Sequence, residues 1–254
     1  MKLVAANPCP RHEPGAPPHG LTKALPQDCA HCAVREIAVC TALSAPELER
    51  LSAIAVTRYF ATGETLFRAE DAAAMVGTVI RGTIKTYKLL ADGRQQIVGF
   101  LFPGDFVGSP TQETHHVFAE ALTPIELCVF PFSAVQRLIR EMPNLERRLL
   151  AVAHEDLDLA QDWMLLLGRK TAQERLATFL LLLVNKASIR GIHGGAVELP
   201  MNRGEIADYL GLTIETVSRQ FSKLKRAGLI RVDDSHAVTI KQPDRLAEIA
   251  EGTA

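Results

Sequence analysis

The stretch NRGEIADYLGLTIETVSRQFSKL, residues 202–224, decides how this chain is read. It describes two short helices around a tight turn. Asn202 is a natural helix cap, and Glu205, one turn on, can reach back to the cap's own N–H, so two donors left over at the helix start are satisfied together. Gly211 stops that helix, Leu212 plugs the turn, and Thr213 caps a second helix. In that helix Ile214, Val217, Phe221 and Leu224 recur at helical spacing and are expected to face inward. The opposite stripe carries Glu215, Arg219, Ser222 and Arg226, with Ser218 on its flank. Such a face suits a DNA major groove: an Arg grips O6 and N7 of guanine, a Glu accepts from a cytosine amino group, and a Ser serves a base or a phosphate. A solvated amphipathic hairpin has the same periodicity, but a glycine-bearing turn of this length between two such helices favours a helix-turn-helix.

The flanks extend this reading. Residues 230–232 and 237–240 are two β-rich runs around a polar turn, a wing beside the second helix. From residue 201 to 231 there are six Lys or Arg against three Asp or Glu, a local balance of +3 in a chain whose total is -1. DNA affinity is therefore expected from a few phosphate contacts plus base readout in a dimer. Upstream, residues 172–186 form a Leu-rich helix expected to core this domain. Residues 191–195 are a loop, and the C-terminal residues read as a short surface helix and tail.

Residues 144–167 read as one long helix started at Pro143 and ended by Gly168. Leu145, Leu149, Val152, Leu159, Trp163 and Leu166 make one apolar stripe, expected to pack on the chain's own strands. Leu150, Ala153, Leu157, Ala160, Met164 and Leu167 make a second at heptad spacing, which wants a partner helix. A two-fold dimer with paired recognition helices satisfies it; a helix sandwiched between the chain's own domains is the alternative.

From about residue 45 to 132 the pattern turns to short β-rich runs. Residues 76–80, 83–90 and 95–102 are separated by Arg81-Gly82 and by residues 91–94, read as hairpin turns. Strands of this number and spacing predict a jelly roll or antiparallel barrel able to hold a small ligand. At 254 residues and 47% hydrophobic content the chain has room for two cores. The longest apolar run, residues 179–184, is far below the roughly 20 residues that cross a bilayer. The N-terminus lacks a secretory signal's apolar core, so a cytoplasmic location with reduced or metal-bound cysteines is expected. No Gly-rich cofactor loop, second cluster motif or His/Asp/Ser constellation suggests an enzyme; His115-His116 reads as a loop pair.

Residues 1–26 are proline-rich and read as a flexible leader that contains Cys9, an unliganded thiol. Then come Cys29, Cys32 and Cys40, separated by two and seven residues. A turn brings the first two together, and the step to Cys40 is about two helical turns, so three soft ligands can share one region. No second close pair follows, as a zinc half-site would want. The one other cysteine, Cys128, lies in an alternating run on the opposite face from Leu127 and Val129. Its residue type fits a small core position as well as a distant fourth ligand.

With these pieces placed, the chain resembles the CRP/FNR family of bacterial transcription regulators over about residues 27–242, and within it the FNR branch with its FnrN- and FixK-like members. The resemblance rests on CAHCAVREIAVC (29–40), RGTIKTYKLLADGRQQIVGF (81–100), PGDFVG (103–108), LCVFPF (127–132), WMLLLGRKTAQERLA (163–177) and GLTIETVSRQFSKLKRAGLI (211–230). It implies an α+β fold with a cysteine segment (27–44), a cyclic-nucleotide-binding-like β-roll of jelly-roll form (45–142), a dimerisation helix (143–168) and a winged helix-turn-helix domain (169–254). It further implies a [4Fe-4S] cluster on Cys29, Cys32, Cys40 and Cys128, loss of that cluster in oxygen, and an RNA polymerase partner. Glu215, Ser218 and Arg219 fall on the ETVSR residues that read a TTGAT-type half-site in FNR-like members, with Thr213, Thr216 and Ser222 as further DNA-facing candidates. The best-known pattern has a shorter gap before the third cysteine; the gap here resembles FnrN-like members. Cyclic-nucleotide-binding relatives carry an Arg-Ser pair for the phosphate. This chain has no arginine between Arg94 and Arg137, so no cyclic nucleotide is expected. A CRP-like regulator of another small molecule, its cysteines binding zinc or nothing, is the alternative.

Overall fold

The structure is a computed structural model that describes the backbone of Thr22–Pro26, residue 29, and residues 31–192, 195–233 and 237–253. Two antiparallel sheets form the N-terminal roll. One has the order β1 (Thr22–Pro26), β2 (Val56–Phe60), β9 (Ile125–Pro131), β4 (Met75–Arg81), β7 (Phe106–Val107). The other has the order β3 (Thr65–Phe67), β8 (Phe118–Ala121), β5 (Ile84–Leu89), β6 (Gln95–Leu101). Side chains that alternate along the strands supply their common core: Val79, Leu127 and Val129 from the first sheet, Leu66, Ile84 and Ala119 from the second. The intervening residues of the first sheet, Val76, Ile80, Cys128 and Phe130, face a separate core. That core is closed by Val34 and Ala38 of the cysteine segment, by Leu51 of α1 (Ala45–Ser52), and by Val135 and Leu138 of α2 (Phe132–Glu141).

Two expectations change here. Arg81-Gly82 is not a hairpin turn: β4 pairs with β9 and β7 while β5 pairs with β6 and β8, so this corner carries the chain from one sheet to the other. Within the expected leader, Thr22–Pro26 forms a strand antiparallel to β2; residues 1–21, with Cys9, lie outside the described residues.

The long helix α3 spans Pro143–Arg169, so Gly168 lies inside it. It ends because Lys170 turns extended and Thr171 caps the next helix, α4 (Ala172–Ile189), in a capping box with Glu174. The stripe expected to pack on the strands is divided. Leu145 is buried against the roll, whereas Leu166 is buried in the C-terminal core and Trp163 stacks on Tyr209 with ring centroids 4.0 Å apart. Leu159, between them, is exposed. On the second stripe Leu150, Leu157 and Met164 are exposed by 58%, 51% and 66%, and Ala153 and Ala160 are exposed too. Leu167 is half-buried against the C-terminal core, so at that end the stripe is already partnered within the chain.

The C-terminal domain packs α4, α5 (Arg203–Leu210), α6 (Ile214–Arg226) and α7 (Pro243–Glu251) around Leu176, Phe179, Leu180, Leu210, Val217 and Leu224. The wing strands β11 (Ile230–Val232) and β12 (Ala237–Ile240) gain a third neighbour, β10 (Ala196–Glu198), which residue patterning does not reveal. The last helix is not a surface element: Leu246 of α7 is fully buried in this core. The core also takes in Ile97, Phe100 and Phe102 of the roll, and Phe100 meets Tyr209 edge-on at 4.8 Å. Polar groups line the same contact. Gln96 Nε2 donates to the carbonyl of Asp208 at 2.6 Å, and Lys85 Nζ lies 2.9 Å from Glu120 and 3.2 Å from Glu205. Burial alone would lower the Lys85 ammonium, but its hydrogen bonds to Glu120 and Glu205 outweigh that and hold it above the usual lysine value.

Candidate functional site

Local signals build the helix-turn-helix as expected. Asn202 Oδ1 accepts from the Glu205 N–H at 3.0 Å, and Glu205 Oε2 accepts from the Asn202 N–H at 2.9 Å. Gly211 adopts φ 61°, a left-handed conformation that costs glycine little and ends α5. Thr213 Oγ1 accepts from the Thr216 N–H and caps α6. Val217, Phe221 and Leu224 are buried; Ile214 is not, being 52% exposed. It sits at the first position of α6, beside Gly204, where the helix start projects past the core.

The outward face of α6 carries the predicted contacts. Glu215, Ser218, Arg219 and Ser222 are exposed, Thr213 is exposed, and Thr216 is half-buried. The Glu215 carboxyl is held below the usual range by its own backbone N–H and by the Thr213 hydroxyl, so it is an acceptor at neutral pH. Arg219 Nη2 donates to Thr216 Oγ1 at 3.3 Å, which aims the guanidinium along the helix. Ser222 Oγ donates to the Ser218 carbonyl at 2.9 Å and keeps its lone pairs outward. Arg203 holds α5 against α6, its guanidinium 3.3 Å from the centre of the Phe221 ring.

One structural residue escaped sequence reasoning. Arg175 of α4 donates from Nη2 to the Leu167 carbonyl at 2.8 Å, from Nε to Lys170 at 2.9 Å and from Nη1 to Leu210 at 2.9 Å. It thereby ties the end of α3 to the end of α5, satisfying carbonyls that helix ends leave over. A cation beside the buried pair Leu176-Ala177 was its only trace in the sequence.

The second site is a pocket lined by Cys29, Cys32, Cys40 and Cys128, with Val34, Ala38, Leu51, Thr78 and Phe130 among its walls. The segment that carries three of the cysteines is a chain of turns rather than one helix. The Arg35 N–H bonds the Cys32 carbonyl, the Ala38 N–H bonds that of Val34, and a short 3₁₀ helix spans Val39–Ala42. Burial of Val34, Ala38 and Val39 fixes it to the roll. Cys128 arrives from β9, buried, on the face opposite to Leu127 and Val129 as its sequence position implies. Burial first, then Cys29 and Cys32, push the Cys40 thiol up to about 11; burial and the other three thiols push Cys128 up as well. The four groups therefore share one electrostatic environment. Among the described residues no three His, Cys, Asp or Glu side chains converge on a point suited to a single metal ion. None of the described helices is long and apolar enough to cross a membrane.

A β-roll joined by a long helix to a winged helix-turn-helix, with an exposed and well-capped second helix, defines a DNA-binding transcription regulator. Residues 174–249 match the Crp-like helix-turn-helix domain, and residues 57–142 match the cyclic nucleotide-binding domain. The nitrogen fixation regulation protein FixK of Bradyrhizobium diazoefficiens is 42% identical over 227 residues, covering 87% of this chain and 93% of that one. The fumarate and nitrate reduction regulatory protein of Escherichia coli K12 is 35% identical over 228 residues, covering 89% and 91%. The structure of FixK2 from Bradyrhizobium japonicum superposes with a TM-score of 0.73 at 35% identity, covering 77% of this chain and 97% of that one. The chain belongs to the CRP/FNR family, whose members are transcription regulators rather than enzymes.

Proposed function

We propose that this chain is an oxygen-responsive transcription activator. It binds palindromic TTGAT-type sites as a homodimer, and Cys29, Cys32, Cys40 and Cys128 hold a [4Fe-4S] cluster. The observation that carries this reading is the position of Cys128, which comes from a strand of the roll and lines the same pocket as three cysteines of the N-terminal segment. The donor set consists of thiols within mainly apolar walls, the soft surroundings that iron–sulfur groups take. Each of the four cysteines would supply one thiolate to such a group. When bound, the cluster supplies the oxygen-labile centre.

The chain's own residues do the rest. Val34, Ala38, Leu51 and Phe130 restrict water, and Cys128 ties the cysteine segment to β9. Leu145, in the first turns of α3, belongs to the same core as Cys128. A change in the cysteine segment is thus felt at the base of the helix whose exposed Leu150, Ala153, Leu157, Ala160 and Met164 form the dimer seam. Pairing across that seam sets two α6 helices at half-site spacing, where Glu215, Ser218 and Arg219 read base edges. The roll, lacking an arginine between Arg94 and Arg137, takes no cyclic nucleotide. RNA polymerase is the partner in activation, with the turn at residues 91–95 as its contact.

Protein purified without air should contain iron and acid-labile sulfide and should shift a palindromic site in a gel; the same preparation after air should not. Zinc without sulfide, or binding indifferent to air, would overturn the sensing half of this reading and leave a regulator of another signal.

A further inference from the structure

We propose that the Thr78 hydroxyl donates a hydrogen bond to sulfur in the cysteine pocket, making Thr78 a positioning residue for the bound iron–sulfur group; this rests on the reading of that pocket given above. Thr78 lies in β4 directly opposite Cys128 of β9, and residues paired in this way leave an antiparallel sheet on the same face. The alternation along β4 agrees: Val76 and Ile80 share the core of Cys128, while Val79 faces the other one. The two strands approach closely here, since a Cβ on Gly77 would stand 2.5 Å from the Cys128 carbonyl oxygen. Thr78 is 2% exposed, lines the pocket, and its Oγ1 has no hydrogen-bond partner among the described residues.

A buried hydroxyl without a partner is unfavourable, and valine would fill the same volume in this apolar strand. Among the described residues that line the pocket, and apart from peptide carbonyls, the acceptors are the four sulfurs. A thiol sulfur accepts weakly, whereas a metal-bound thiolate or a bridging sulfide carries negative charge and accepts well. The hydroxyl therefore gains its partner when the pocket is loaded. Hydrogen bonds to cluster sulfurs stabilise the more negative, reduced state and raise the reduction potential.

The test uses full-length Thr78→Val and Thr78→Ser, purified without air beside the parent chain. The measurements are iron and sulfide per chain, melting temperature with and without the cluster, and reduction potential. Unloaded Thr78→Val should melt higher than the parent. Loaded, that advantage should vanish and the potential should move to more negative values, while Thr78→Ser follows the parent throughout. Loss of the cluster from Thr78→Val with retention in Thr78→Ser supports the same contact. Equal iron and sulfide with an unchanged potential, and an equal gain in melting temperature in both states, would overturn the Thr78 contact and leave the pocket reading intact. A parent chain that takes up no iron and sulfide would instead overturn the pocket reading, and the Thr78 contact with it.

Discussion

The DNA-facing helix and the cysteine pocket are assembled by different means. Glu215, Ser218, Arg219 and Ser222 stand on consecutive turns of α6, and the caps and the turn that aim them are written within the same few residues. The pocket draws three sulfurs from a run of turns near the front of the chain and the fourth from β9, which follows eight other strands of the roll. A locally built site loses function one contact at a time. A site assembled over long range is lost as a unit, since each member holds the others in place.

The largest effect expected from this contrast is at Cys128. Cys128→Ser should remove iron and sulfide altogether and abolish the gel shift, whereas Cys9→Ser, outside the described residues, should leave both intact. A Cys128→Ser protein with full iron content would erase the distinction between the two regions. Next comes the seam on α3. Leu157→Lys puts a charge at an exposed apolar position that each protomer contributes once. With each buried Leu worth about 1.5–3 kcal/mol, the dimer dissociation constant should rise by at least about a hundredfold, read by light scattering. Smaller and confined to one base pair is Arg219→Ala, expected to cost about 1–3 kcal/mol of discrimination at a guanine with no change in helix content. An unchanged site preference in a binding selection would break the assignment of α6 as the reading helix.

The smallest effect is one of pH on the metal-free protein. Cys40 is pushed up from 9.0 to about 11, so the folded chain holds this proton more tightly than the unfolded one. Its contribution to stability is complete below pH 9 and is lost as pH rises through about 11, so the melting temperature should fall across that window. Cys40→Ser should make the fall shallower, the buried Cys128 thiol keeping its own share, and a melting temperature that rises there would show that burial does not govern this thiol.

Much of this was legible beforehand because its causes are local. Asn202, Glu205, Gly211 and Thr213 act on neighbours within a turn or two, and the alternation around Cys128 depends on the pleat alone. The misreadings share the opposite cause. Leu159 and Ile214 have the spacing of core residues, but whether such a residue is covered depends on what lies beside the middle of α3 or the start of α6. The corner at Arg81-Gly82 resembles a hairpin turn because both flanks are strands; only the partners β9 and β6 show that the flanks belong to different sheets.

By itself, then, the sequence determined the order of modules, the helix-turn-helix with its caps and outward face, and which face of β9 carries Cys128. These follow from backbone and side-chain periodicities that operate over a few residues. Tertiary structure alone decided that Cys128 meets the three front cysteines and that Thr78 stands opposite it. It also decided that α7 is core, and that Lys85, Gln96 and Arg175 bind the roll and α3 to the reading domain. The reason is physical: a contact between residues far apart in the chain is set by how whole faces pack, and no residue's own neighbours carry that information.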